Sequence, residues 1–339
     1  MTLVMLVIGV GVAALVIVAL AVYERFAGEH PFADTLYDLW LRRQDLVALD
    51  RAAAENPRRA DVVVTLTTLP SRVDRIELTL KSLLRQSVSP RMIRLNVPRA
   101  SRREQVSYDI PRRLRSLRSV IVVECDDYGP STKLIPALLD ASPDDRLLVV
   151  DDDRVYQPSF IEQMVDRSDR HPDVAVAASG WDAPADLTDR PSTLVATLAG
   201  RAPAPIKCTR VNGARDVDVM QGLAGYLVKL RFFDRAAIAD YEDAPEAAFF
   251  VDDVWISAHC RARKVVFEGR RTNFASLFDA RFYKRSSVAL ANRGTGTLDS
   301  RNNTIMLRHF ADRWRAFPPR VSKGRPASTK AEHELSPPH

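Results

Sequence analysis

An α/β fold, with a mostly parallel central sheet flanked by helices and an N-terminal transmembrane helix, is what three features of this sequence predict. Short β-branched runs alternate with helical apolar patterns, which implies a parallel sheet with right-handed crossovers. Leu147-Leu148-Val149-Val150 runs straight into Asp151-Asp152-Asp153. A continuous apolar run of that kind reads as a strand buried on both faces, and it delivers the acidic cluster to the strand's C-terminal end, where open α/β sheets place their ligand crevice. Finally, residues 1–23 carry no charged side chain, and the apolar run from Leu3 to Val22 is long enough to span a bilayer as a helix.

The elements follow in order. After the 1–23 span, residues 24–60 place Leu36, Leu39, Trp40, Leu46, Val47 and Leu49 at roughly helical spacings. They read as a stalk or membrane-surface helix, or equally as a helix packed on the body. Asp61–Leu66 is the first strand, Asp74–Arg85 a helix, Ile93–Val97 and Ser119–Glu124 the next two strands. Asp126 to Lys133 is a turn-rich loop, Leu134–Leu139 opens a helix, and the Leu147–Val150 strand follows. Ser159–Ser168 is a helix and Val174–Ala178 a strand. Residues 182–210 form a long loop, a candidate lid or acceptor surface. Asp218–Val228 reads as a strand with two glycines, Trp255–Arg263 as a helix, Val265–Glu268 as a strand, and 316–339 as a disordered tail.

The composition is that of a folded globular protein. Of 339 residues, 46% are hydrophobic and 27% charged, with a net charge of +6. That mild excess suits a polyphosphate ligand or an anionic membrane surface, and no nucleic-acid-binding signature accompanies it. Cys125, Cys208 and Cys260 are scattered without a C-x-x-C pair, which excludes a disulfide framework or cysteine zinc site. No basic n-region precedes the apolar span, so an uncleaved anchor is favoured over a signal peptide. Arg25, Arg42, Arg43, Arg51, Arg58 and Arg59 follow it, which puts the body on the cytoplasmic side of a single-pass membrane protein. The sequon at Asn302-Asn303-Thr304 points the other way.

Three adjacent aspartates repel one another, and a divalent cation with oxygen ligands, Mg²⁺ or Mn²⁺, would relieve that repulsion; a solvated acidic turn is the plainer reading. A second acidic pair, Asp252-Asp253, follows Phe249-Phe250-Val251. Either carboxylate could act as a general base, or the pair could cap the following helix. Arg72 and Lys133 are suited to neutralising a diphosphate, though each could be a solvated charge.

Thr67-Thr68-Leu69-Pro70-Ser71-Arg72, Tyr128-Gly129-Pro130-Ser131-Thr132-Lys133, Asp151-Asp152-Asp153 and Asp252-Asp253-Val254 occur in an order and spacing that resembles the GT-A class of nucleotide-sugar-dependent glycosyltransferases, in particular bacterial family 2-like members. Gln221-Gly222-Leu223-Ala224-Gly225-Tyr226 resembles the segment that precedes the catalytic acid in several of these families. The second acidic pair departs from the Glu-Asp often found in relatives. The resemblance covers roughly residues 61–310 and implies a Rossmann-like GT-A domain over 61–315. It implies that Asp151 and Asp153 hold Mn²⁺ or Mg²⁺ on the donor diphosphate, with His309 as a late-chain ligand. Strand alternation puts Asp151 and Asp153 on one side and Asp152 on the other. Asp253, or Asp252, becomes the base. Thr67, Arg72, Asp127, Lys133, Asp151 and Asp152 become donor contacts, while His259 reads as structural. The implied activity is metal-dependent, inverting transfer of a sugar from a nucleoside-diphosphate carrier to a hydroxyl of a glycan or lipid-linked acceptor at a bacterial inner membrane.

A catalytically inactive relative that binds a nucleotide sugar or scaffolds a membrane assembly is the second reading, and retention of both acidic groups argues against it. A sugar-nucleotide-forming nucleotidyltransferase ranks lower, because the loop after the first strand contains no glycine. A P-loop enzyme is excluded by the lack of its motif.

Overall fold

The computed structural model of the chain describes residues 2–27, 30–190, 204–276 and 297–314. Within them the fold is built on Val64, Leu148 and Leu227, which lie side by side in register on three neighbouring strands and are fully buried. Eight strands form the main sheet: β1 (Arg59–Thr67), β2 (Ser89–Pro98), β3 (Val120–Cys125), β4 (Arg146–Val149), β5 (Val174–Ala177), β6 (Ala214–Asp216), β7 (Tyr226–Lys229) and β8 (Arg263–Phe267). Their order across the sheet is β6-β8-β5-β7-β4-β1-β2-β3. β1 to β5 and β8 make parallel pairs, whereas β7 runs antiparallel between β4 and β5, and β6 antiparallel at the edge. The mixed α/β architecture with a mostly parallel sheet is therefore as expected.

From β1 the chain winds outward through β2 to β3 and then returns to place β4 on the other side of β1. The C-terminal ends of β1 and β4 thus flank a topological switch point, the position at which open α/β sheets form a ligand crevice. Helices α4 (Ile76–Leu84), α5 (Ile135–Asp140), α6 (Phe160–Arg170), α7 (Asp252–His259) and α8 (Asn302–His309) pack around the sheet.

Two differences from the expected elements have clear local causes. The Asp218–Val228 run is not one strand. Val219–Met220 pairs into a small three-stranded sheet with Ser179–Trp181, which also pairs with Ile206–Lys207. A tight turn at Gly222–Ala224 then redirects the chain into β7. Gly225 closes that turn at φ 88°, and a Cβ there would lie 2.4 Å from Phe160 Cζ, so only glycine makes the bend. The loop expected over 182–210 is pinned at both ends, by the small sheet and by ion pairing of Asp189 with Arg301. Its middle, like the tail at 316–339, lies outside the described residues.

Upstream of the body, α1 (Thr2–Ala27) coincides with the apolar run, and its described side chains, including Met5, Val10, Leu15 and Val22, are exposed. Part of its side chains lie outside the described residues, and among those described no helix is long and apolar enough to cross a membrane. The expected span is therefore not shown. The following stretch packs on the body as two helices, α2 (Pro31–Arg42) and α3 (Leu46–Glu55). Leu41 joins Val155 and Phe274 in a buried cluster, and Tyr37 stacks on Phe274 at 4.2 Å. Buried Asp34 accepts both guanidinium nitrogens of Arg271, with Nη2 at 2.9 Å, and the Ala275 N–H at 2.7 Å; Asp38 accepts from Ser276 Oγ at 2.8 Å. Asp50 accepts the Arg118 and Ser119 N–H groups at 2.7 and 2.8 Å. Phe32, Leu36 and Val47 face outward.

Breaking a buried ion pair by removing one partner strands the other, at a cost of about 3–5 kcal/mol. Asp34→Ala is therefore expected to lower the unfolding free energy by about 3 kcal/mol or more in urea denaturation. Asp45→Ala, which removes only the exposed N-cap of α3, should cost clearly less. Equal losses would show that the Asp34–Arg271 pair does not hold α2 in place.

Candidate functional site

The site is built from chain segments that leave the C-terminal ends of the strands. β1 hands over to Thr68 and the turn Pro70–Arg72. The loop after β3 leads into the 3₁₀ turn Gly129–Lys133, β4 ends one residue before Val150 and the aspartate triplet, and α7 begins with Asp252 and Asp253. The Gly222–Ala224 turn closes the remaining side.

Lys133 stands at the centre. It is 4% exposed, and its backbone carbonyl accepts the Thr65 Oγ1 hydroxyl of β1 at 2.6 Å, which fixes the residue to the central sheet. Its Nζ donates to Asp151 Oδ1 at 2.7 Å, forms an ion pair with Asp252, and lies 3.6 Å from Asp253 Oδ1. Burial alone would drive this lysine neutral. Asp151, Asp252 and Asp253 outweigh that and hold it well above the ordinary lysine value.

A second cluster lies beside the first. Arg72 Nη1 is 3.1 Å from Asp152 Oδ1 and 3.7 Å from Asp153 Oδ2, and Arg154 Nε is 3.4 Å from Asp153. Thr68 Oγ1 donates to Asp152 Oδ2 at 2.6 Å, and Thr79 Oγ1 to the Asp152 carbonyl at 2.6 Å. Burial pushes Asp152 up to about 6, against the pull of Arg72. The expectation that Asp151 and Asp153 share one side fails because β4 has ended and the triplet lies in a turn. Asp151 reaches toward Lys133, while Asp152 and Asp153 converge on Arg72.

Neither Asp252 nor Asp253 caps α7. The N-cap is Val251, without a side-chain bond, and both aspartates occupy the first helical turn, where the helix dipole favours negative charge. Asp253 Oδ1 accepts the Gly222 N–H at 3.0 Å. Burial and then its neighbour Asp252 push Asp253 up to about 8, with Lys133 pulling the other way. Asp253 is the more open of the pair, with 28% of its side chain exposed against 17% for Asp252.

The other expected residues are placed as follows. Thr67 Oγ1 donates to the Asn96 carbonyl at 2.8 Å and so belongs to the sheet, whereas its neighbour Thr68 meets the triplet. Asp127 accepts the Arg102 N–H at 2.7 Å and the Gly129 N–H at 2.8 Å, tying a hairpin over 100–107 to the loop after β3. His309 is not brought to the triplet. It is exposed, sits edge-on to Phe310, and belongs with His259 at the C-terminal end of α7, opposite the end that carries Asp252 and Asp253. His259 Nδ1 meets the Trp255 carbonyl at 2.9 Å, a structural role.

The metal set of Asp151, Asp153 and His309 is accordingly not assembled. Among the described residues no group of three or more His, Cys, Asp or Glu could hold a metal ion. The carboxylates face the chain's own cations, so the residues present do not fit the Mn²⁺ or Mg²⁺ that the motifs suggested.

Arg103 and Gly222 were missed from sequence. Arg103 lies within electrostatic reach of Arg72 and Asp252, carried there by the 100–107 hairpin, which Ser71 and Glu104 clamp to the Pro70–Arg72 turn with bonds of 2.6 and 3.0 Å. A Cβ on Gly222 would lie 2.1 Å from Lys133 Nζ and 2.7 Å from Asp151 Oδ1. The only sequence signal for that glycine was its membership of the Gln221–Tyr226 segment.

Neither protein-family models nor curated proteins give a match to this sequence. Among solved structures, the chain is similar to the crystal structure of S. aureus TarS 1-349, at 15% identity over 66% of this chain and 63% of that one, with a TM-score of 0.43. The same protein in complex with UDP gives 15% identity over 76% and 72%, with a TM-score of 0.42. A 4-diphosphocytidyl-2C-methyl-D-erythritol synthase gives 12% identity over 67% of this chain and 97% of that one, with a TM-score of 0.36.

The close approach at Gly222 makes a test of the Lys133 cluster. Gly222→Ala should displace the lysine tip and lower the melting temperature by a few degrees. In a Lys133→Ala background the same substitution should cost less, because the nearest group it meets is gone and only Asp151 remains. Additive losses in that double-mutant cycle would mean that Gly222 and Lys133 are not coupled.

Proposed function

We propose that this chain is a GT-A-type glycosyltransferase that moves a sugar from a nucleoside-diphosphate carrier to an acceptor hydroxyl. One observation carries the reading: Arg72, Lys133, Asp151–Asp153 and Asp252–Asp253, residues far apart in sequence, converge at the switch point of a parallel α/β sheet. Folding alone gives little reason to gather five carboxylates, since each loses hydration and repels the rest.

Arg72 supplies fixed positive charge for the donor diphosphate and for the charge that grows on it as it departs, while Lys133 holds the carboxylates beside it in place. In this reading Asp127 and the end of β1 are the contacts to the nucleoside. Asp253 is the base. It removes the acceptor hydroxyl proton as that oxygen bonds to the anomeric carbon and the bond from that carbon to the diphosphate oxygen breaks. Direct attack of this kind inverts the anomeric configuration. Asp253 suits the role better than Asp252 because it is the more open and stands farther from Lys133. The residues do not fit a divalent ion, and no step here passes through one.

The uncharged apolar run at residues 3–22 and the arginines after it are the basis for proposing a single-pass membrane anchor with the body on the cytoplasmic side, and hence a glycan or lipid-linked acceptor near the bilayer.

A thermal-shift panel on the full chain in detergent, with UDP and GDP, tests the donor site by mass action. Stabilisation by one nucleotide that is lost in Arg72→Ala is expected, and its absence with every nucleotide in a folded protein sinks the reading. Release of nucleoside diphosphate from a panel of sugar donors tests catalysis. Asp253→Asn should reduce it by about 100-fold or more while binding persists. Because the base acts unprotonated and sits at about 8, the rate should rise with pH up to about that value and then level off. A rate that falls between pH 6 and 8 would exclude Asp253 as the base.

A further inference from the structure

The carboxylates at the switch point already possess a cation. Lys133 Nζ is 2.7 Å from Asp151 Oδ1, in contact with Asp252 and 3.6 Å from Asp253 Oδ1. A divalent ion bridging Asp151 to the second acidic pair would have to occupy the volume that the ammonium fills. The lysine is also not poised to leave. It is the last residue of the Gly129–Lys133 turn, its carbonyl is bonded to β1 through Thr65, and its tip fits against a glycine that leaves no room for a side chain. An ammonium carries three donors, which suits a ring of three carboxylates. The neighbouring Asp152 and Asp153 are matched in the same way by Arg72 and Arg154.

We propose that Lys133, rather than a divalent metal, is the resident cation of this site, and that the more open Arg72 gives the protein a metal-independent hold on the diphosphate of its substrate. The diphosphate half of this inference rests on the donor-site reading above. The cation half rests on the geometry alone. Lys133 is in this view a positioning residue for Asp252 and Asp253.

The test has two arms, both on the full chain in detergent after treatment with a chelator. In the first, Mn²⁺ alone is the probe, read by the melting temperature and by the electron paramagnetic resonance signal of free Mn²⁺. Wild type should show no shift and no bound ion. Lys133→Ala leaves three carboxylates around an empty volume, so it should melt lower and be restored by Mn²⁺, with affinity at least ten-fold above wild type. Saturable Mn²⁺ binding by wild type that is lost in Asp151→Asn overturns the proposal, as does a folded Lys133→Ala that gains no affinity. In the second arm, UDP and GDP binding to wild type is measured by calorimetry with Mn²⁺ and with EDTA. Affinities equal within about two-fold support metal independence, and this arm holds even if Lys133→Ala does not fold. Binding that requires Mn²⁺ defeats the inference and leaves the glycosyltransferase reading standing. Absence of nucleotide binding under both conditions defeats the donor-site reading and the diphosphate half with it, while the Mn²⁺ arm still decides the identity of the cation.

Discussion

The structure depends most on one buried charge. An ammonium with almost no access to water is tolerable only if carboxylates surround it, and those carboxylates are tolerable at such close quarters only if the ammonium is there. Each half of the cluster compels the other. The requirement reaches into four separate segments: the loop after β3 supplies the lysine, the end of β4 the first aspartate, α7 the other two, and a glycine turn the space for the lysine tip. Removing the lysine would leave three carboxylates crowded together without a counter-charge. Specificity of fold and geometry of site are in this sense a single constraint.

Much of this was legible in the sequence, and the reasons are physical. A run such as Leu147–Val150 has one comfortable environment, a strand covered on both faces, and its end had to be where the polar chain resumed. The alternation of strand and helix sufficed for the parallel sheet. Arg72, Lys133 and the two acidic groups were picked out because each lies in a short motif beside a turn or an apolar run, whereas Thr68 was passed over for its neighbour Thr67, since nothing local tells which of the two threonines leaves the sheet. Arg103 was not found, because a short hairpin that begins after β2 carries it to the site, and nothing local in Ser101-Arg102-Arg103 announces that destination. His309 misled for the opposite reason. It sits on a helix whose packing partner, α7, does touch the site, but at the wrong end. The internal arrangement of the triplet was misjudged because a strand's alternation was extended one turn past the strand.

The N-terminal helices show how a long-range interaction can override a local reading. The spacing of Leu36, Leu39 and Trp40 marked an amphipathic helix correctly. It carried no information on which surface would receive the other face. Asp34 and Asp38, two carboxylates on that other face, look in sequence like solvated residues, and yet they are among the most deeply buried acidic groups described, because Arg271, Ala275 and Ser276 meet them. Residues near the N-terminus thus became part of the body rather than an appendage to it.

That clasp also sets an order of events during synthesis. Asp34 and Arg271 are 237 positions apart. At ordinary elongation rates a ribosome needs on the order of ten seconds or more to cover such a distance. Throughout that interval Asp34 has no Arg271 to pair with, while Asp38 can already meet Arg42 on its own helix and β1 to β4 emerge and can pair among themselves. The helix can lean on α4 early, through Lys81 and Arg85, but its buried aspartate is among the last groups to be satisfied, and that delay is written into the chain by the distance between two residues.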